Sequence, residues 1–135
     1  MSLDFYRRIT GGMSVALLIA LLAGCTKEEM PKTYVVQGKV VLPNGKPFPG
    51  GAITFRPVAD QELQAYGEIL DDGTFTLHTL GHTSGGRAQN LKGTIEGEFK
   101  VQIEPAPGKG RPFWLTKTYR IDPTEKNEIT IVVEK

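Results

Sequence analysis

The sequence predicts an all-β chain, a single β-sandwich of six or seven short strands behind a short N-terminal leader. Three observations predict it. Several segments beyond residue 33 alternate apolar and polar residues with a period of two, the pattern of strands with one buried face. Turn signals separate these segments at short spacing, among them Asn44-Gly45, Asp72-Gly73 and the Gly-Pro run "APGKGRP" at 106–112. The 16 glycines and 9 prolines in 135 residues favour turns, and no stretch beyond residue 24 carries helical periodicity.

The leader comes first. An apolar run from Met13 to Ala23, 11 residues long, follows Arg7 and Arg8 and precedes the chain's single cysteine, Cys25. A membrane-spanning helix needs about 20 apolar residues. A positive n-region, a short apolar h-region and small residues before a cut are the pattern of an export signal. The predicted organisation is therefore a signal over residues 1–24, a tether over 25–33 and a domain over 34–135.

The end of the leader is more specific. Leu22-Ala23-Gly24-Cys25 resembles the lipobox of bacterial lipoproteins at all four positions. The resemblance implies cleavage between Gly24 and Cys25. It also implies a diacylglycerol thioether on the Cys25 sulfur and an acyl chain, typically palmitate, on its new amine. Chemistry agrees, because cysteine alone among these residues offers a soft sulfur nucleophile. Two or more acyl chains anchor stably, each buried CH₂ contributing roughly 0.8 kcal/mol. The expected location is the bacterial cell envelope, on a membrane and facing the periplasm or the exterior. Thr26, and not Asp, follows Cys25, which favours the outer membrane where that sorting rule applies.

Charge and cysteine count limit the partners. The chain holds 16 basic and 15 acidic residues. Arg7, Arg8 and Asp4 leave with the signal, so the mature chain carries as many positive as negative residues. Phosphate binding needs a basic face, so nucleic acid is excluded as a partner. With Cys25 lipidated, no cysteine remains for a disulfide or a thiolate metal site. A monomer held by its own core is expected, with no cofactor beyond the acyl chains.

The mature chain reads as follows. "TKEEMPKT", at 26–33, is polar and broken by Pro31, a tether reaching at most about 28 Å. In 34–42, Tyr34, Val36, Val40 and Leu42 share one parity, with Gln37 and Lys39 on the other. In 52–58, Ile53 and Phe55 oppose Thr54 and Arg56. Residues 65–80 read as a hairpin turning at Asp72-Gly73, with Phe75 and Leu77 inward. Residues 81–96 are polar, Gly-rich and patternless, and read as a long exposed loop. In 98–105, Phe99, Val101 and Ile103 alternate with Lys100 and Gln102. Residues 113–121 hold a short strand, and 128–135 close the domain.

The turn-and-strand motifs of 34–135 resemble carboxypeptidase-regulatory-like domains of small bacterial lipoproteins. They are Gly38-Lys39-Val40, Asn44-Gly45-Lys46-Pro47, Pro49-Gly50, Asp72-Gly73-Thr74-Phe75-Thr76-Leu77 and Gly97-Glu98-Phe99-Lys100-Val101, with "KTYRIDPTEKNEITIVVEK" at the end. The resemblance implies a seven-strand transthyretin-like (prealbumin-like) sandwich. Glu96 departs from the proline those proteins place there, and the chain is longer between Leu80 and Gly97. Such motifs specify fold and say little of chemistry.

Candidate site residues are few. His78 and His82, with Asp71 and Asp72 nearby, are the only metal-ligand grouping, and they read better as a polar strand face and a turn. An isopeptide bond between Lys39 and Asn127, known in a related branch of these sandwiches, would need Lys39 on the core parity, and it has the other. Tyr119-Arg120 recurs in a transthyretin-like hydrolase of 5-hydroxyisourate, but the motif here lies short of the C-terminus and the first strand has neither His nor Arg. Phe113 and Trp114 beside a Gly-Pro loop suit stacking on a sugar or peptide, or capping the sandwich. Arg87 and Lys92 are the candidate contacts of the 81–96 segment. The expected function is a non-catalytic binding or structural module, with an envelope protein or glycan as partner. Carbohydrate or peptide binding through Trp114 and the 81–96 segment is one alternative, and a metal-dependent enzyme another.

Overall fold

The structure is a computed structural model describing residues 31–59, 63–82, 86 and 88–134; the segment expected to be a leader, with Gly24 and Cys25, and Arg87 lie outside the described residues. The described chain is all-β, without a helix, and forms two sheets. Its strands are β1 (Val35–Val41), β2 (Gly51–Pro57), β3 (Ala65–Ile69), β4 (Thr74–Thr76), β5 (His78–His82), β6 (Ala88–Lys92), β7 (Gly97–Pro105), β8 (Phe113–Trp114), β9 (Tyr119–Ile121) and β10 (Lys126–Val132). The smaller sheet has the order β10-β1-β4, with β1 and β10 parallel. The larger runs β6-β5-β3-β2-β7-β8, and β9 also pairs with β7.

The core follows the period-two pattern. Val36 and Val40 on β1, Ile53 and Phe55 on β2, Phe99, Val101 and Ile103 on β7 and Ile131 on β10 are all buried. Phe55 sits among three other rings, 5.8 Å from Phe99, 6.2 Å from Phe75 and 6.4 Å from Tyr119, centroid to centroid and all tilted. Tilted pairs at such spacings suit the ring quadrupole. Phe75 comes from the smaller sheet and Phe55 from the larger, so this cluster joins the two layers.

Phe75 reaches Phe55 because of Gly38. Gly38 has the inward parity of Val36 and Val40, and Phe75 is its registered partner on β4. A Cβ on Gly38 would lie 2.5 Å from Phe75 Cζ and would also strike the Ile129 carbonyl oxygen. The missing side chain is the space the ring occupies.

Three sequence expectations change. The chain has ten strands, not six or seven, among the described residues. The segment 65–80 does turn at Asp72-Gly73, where Gly73 has φ 83° and its N–H donates to the Leu70 carbonyl at 2.8 Å. It is not a hairpin, however: β3 pairs with β2 and β5, and β4 pairs with β1 in the other sheet. The change of sheet falls on Leu77. Its N–H donates to Val36 O at 3.1 Å, and its carbonyl accepts from Gly93 N at 2.8 Å. Both backbone groups stay satisfied while a buried residue passes between layers.

The third change concerns 81–96. It is not a patternless loop, because β6 lies within it and pairs antiparallel with β5 from His78↔Lys92 to His82↔Ala88. This edge strand is exposed except for a half-buried Leu91, so it has no apolar alternation to read. The residues β8 and β9 form the opposite edge as one interrupted strand. Ile103 faces Phe113 and Phe99 faces Tyr119, so a bulge lies between, with Leu115 N donating to Val101 O at 2.9 Å. Bulges of this kind blunt an edge against further pairing.

Gly38→Ala should destabilise the protein by about 1–3 kcal/mol or more, through overpacking against Phe75. Thermal melts of Gly38→Ala, Phe75→Leu and the double variant check it. The second substitution should cost less in the Gly38→Ala background than alone, as contacting residues couple.

Candidate functional site

The widest exposed surface built from regular structure is the outer face of the larger sheet. Side chains alternate across a strand, so the polar parity of each strand faces outward. The registers align these residues in rows. One row crosses the whole sheet: Lys92 on β6, His78 on β5, Tyr66 on β3, Thr54 on β2, Gln102 on β7 and Trp114 on β8. Five strand spacings make it about 24 Å wide. Tyr66 and Trp114 are 45% and 42% exposed, high for aromatic side chains on a strand. The Tyr66 hydroxyl donates to Gln64 Oε1 at 2.9 Å, which holds the ring against the sheet.

A second row lies toward the end of the sheet where β7 begins, with Arg56 on β2 facing Lys100 on β7. The Arg56 guanidinium lies over the Trp114 indole, 4.8 Å from its centroid. To arrive there the side chain crosses β7 between Lys100 and Gln102. Its Nε is buried and has no hydrogen-bond partner among the described residues. A third row, toward the other end, places Glu68 and Glu104 on either side of Ala52. It borders a groove of about 680 Å³ lined also by Asp71, Pro49, Pro105 and Pro112.

The sequence candidates are distributed as follows. Phe113 pairs with the inward-facing Ile103, is half-buried and packs on the core, so it caps the sandwich edge. Trp114, the next residue, faces out. The structure thus separates the pair onto opposite faces. Lys92 shares the Trp114 row but sits at the far edge, so only an extended ligand can touch both. Arg87 lies outside the described residues. His78 and His82 mark the two ends of β5. Among the described residues no group of three or more His, Cys, Asp or Glu is placed to hold a metal ion.

Lys39 and Asn127 do not meet. Lys39 is exposed on the outer face of the smaller sheet, beside a groove of about 650 Å³. Asn127 is buried, and its amide closes the turn before β10. Its Oδ1 accepts from Asp122 N and its Nδ2 donates to Asp122 O, both at 3.0 Å. Arg56, Tyr66, Gln102 and Lys100 were not singled out by sequence. Their polar or outward parity was readable, but the registers that align them were not.

Two titrating groups are displaced. Asp72 is held below the usual carboxylate range, first by the Thr74 hydroxyl (2.6 Å) and then by the Thr74 N–H (3.0 Å). Burial pushes the Tyr119 phenol up, and nearby Glu134 adds to it.

Comparison of the chain with family models, with curated proteins and with solved structures returned no match. What the described residues define is a class: an all-β, two-sheet protein whose larger sheet presents an open face of aromatic, amide and cationic side chains.

The Asp72 turn gives a pH prediction. A carboxylate whose folded pKa is lowered stabilises the fold above its unfolded pKa, and that stability is lost as pH falls through the folded value. Asp72→Asn should therefore melt below the parent at neutral pH. The gap should narrow as pH falls through the ordinary Asp range and close only below it, because the folded value is the lower one, in melts taken across that interval.

Proposed function

We propose that this chain is a lipid-anchored lipoprotein of the bacterial envelope whose transthyretin-like sandwich serves as a non-catalytic binding module. The observation that carries the binding reading is the row from Lys92 to Trp114. Tyr and Trp join an apolar ring to a polar tip and are enriched at binding surfaces, and here two of them share a flat open face with amides, a hydroxyl and cations. Binding residues on a rigid scaffold are expected to cluster in this way. The lipobox Leu22-Ala23-Gly24-Cys25 supports the anchor, and the two-sheet architecture with β1 parallel to β10 supports the sandwich. The balanced charge of the mature chain supports an anchor made by lipid alone.

Metabolic labelling with a radiolabelled or clickable palmitate tests the anchor. The parent protein should take the label and lose its first 24 residues. Cys25→Ala should take none and keep the leader. Labelling of the variant, or cleavage at the same bond, would overturn the lipoprotein reading.

A further inference from the structure

We propose that the outer face of the larger sheet binds an acidic polysaccharide, its anionic groups on Arg56 and Lys100 and a sugar ring on Trp114. The inference deepens the binding-module reading and rests on it.

Charge complementarity carries it. Arg56 and Lys100 are registered partners on adjacent central strands. Like charges placed directly opposite destabilise a sheet. Neither residue takes part in an ion pair among the described residues, where the ion pairs join Arg120 to Asp122 and Lys126 to Glu128. Glu98 shares the outward parity of Lys100 two residues away but forms no ion pair with either cation among the described residues, so an anion lying over Arg56 and Lys100 would relieve the repulsion between them.

The Arg56 side chain is also fixed. It spans β7 to rest on Trp114 at 4.8 Å, and a planar guanidinium held this way presents its outer N–H groups in a fork suited to a carboxylate. Its Nε is buried without a hydrogen-bond partner among the described residues, so the stack on Trp114 is the contact that accompanies this pose.

Beside the cations the chemistry suits sugar. Trp114 offers an exposed ring, Gln102 and Thr54 follow it in the same row with amide and hydroxyl groups, and Tyr66 supplies a second ring beyond them. Trp114 and Tyr66 are three strand spacings apart, about 14 Å, so the occupant is extended. Lys92 continues the positive charge at the far edge. On the other side, Glu68 and Glu104 bound the surface and repel an anion from the groove beyond. An acidic peptide would find the cations but little use for two separated aromatic platforms.

Affinity electrophoresis and calorimetry on the full chain in detergent micelles test this. The probes are polygalacturonate, with a carboxylate on every sugar, neutral dextran, and poly-glutamate. Polygalacturonate should bind, and more weakly as salt rises from about 0.05 to 0.5 M, as exposed charge interactions are screened. Arg56→Gln and Lys100→Gln should each weaken it about tenfold, the scale of a lost hydrogen bond to a charged group. Trp114→Ala should weaken it while leaving the salt dependence in place. Lys39→Gln, on the other sheet, should change nothing. Lys100 is exposed, so its variant keeps the test valid if Arg56→Gln fails to fold. Equal binding of dextran would overturn the charge assignment. Preferential binding of poly-glutamate would overturn the saccharide while leaving a binding module. Absence of polygalacturonate binding, or binding indifferent to Lys100→Gln, would overturn the proposal, and palmitate labelling would stand or fall separately.

Discussion

The sandwich depends on one ring lying where a side chain is missing. Phe75 crosses β1 at Gly38 and meets Phe55 of the opposite sheet. The smaller sheet has only three strands, and β4 contributes three residues to it. So short a sheet cannot hold a layer by backbone pairing alone. A large buried aromatic supplies apolar area out of proportion to its place in the chain, and the inward glycine lets it sit between the layers without pushing β1 away. Through Phe55, the same cluster holds Phe99 on β7 and Tyr119 on β9.

Once Phe75 is fixed, the path of the chain follows. Two residues later Leu77 leaves the smaller sheet, and β5 begins in the larger one. Thr79 then buries its hydroxyl against Gly93 O at 2.7 Å, and Tyr34 and Thr94 exchange backbone hydrogen bonds at 2.7 and 3.0 Å. The corner joining β1, β5 and β6 is thus closed by hydrogen bonds across the layers, and only the Thr94 hydroxyl, buried there, is without a partner among the described residues. Strand pairing at that corner is what draws 88–92 into regular structure with almost no buried side chain of its own.

This explains how far the sequence could be read. Strands with one buried face were legible, since Val36, Val40, Phe55, Phe99 and Ile103 keep strict parity and the turn residues between them are specific. The edge strand β6 was not, because backbone pairing to β5 leaves no mark on side-chain pattern. The change of sheet at Leu77 was not legible either. An apolar residue between Thr76 and His78 fits a continuing strand as well as one that switches layers. At the candidate site, Trp114 and Lys92 were named from the sequence as possible contacts, but no face was assigned to either, because neither segment shows a readable alternation. Their alignment with Tyr66, and the reach of Arg56 across β7, depend on register, which is a property of strand pairs and not of any one segment.

The local preferences of this chain mostly agree with its fold, and consistency of that kind is what lets a sequence specify one structure. The disagreements are concentrated on one surface. Arg56 faces Lys100, Glu68 and Glu104 flank the small Ala52, and Tyr66 and Trp114 stay exposed, all on the outer side of the larger sheet. The smaller sheet's outer face is different: Gln37 lies between Thr76 and Glu128, and Lys39 between two threonines, with no like charges opposed. Both faces are solvated, so solubility does not distinguish them. One directly opposed like-charge pair and two part-exposed rings, one of them stacked by Arg56, all on one face, are the kind of local disagreement expected where a surface serves binding as well as folding.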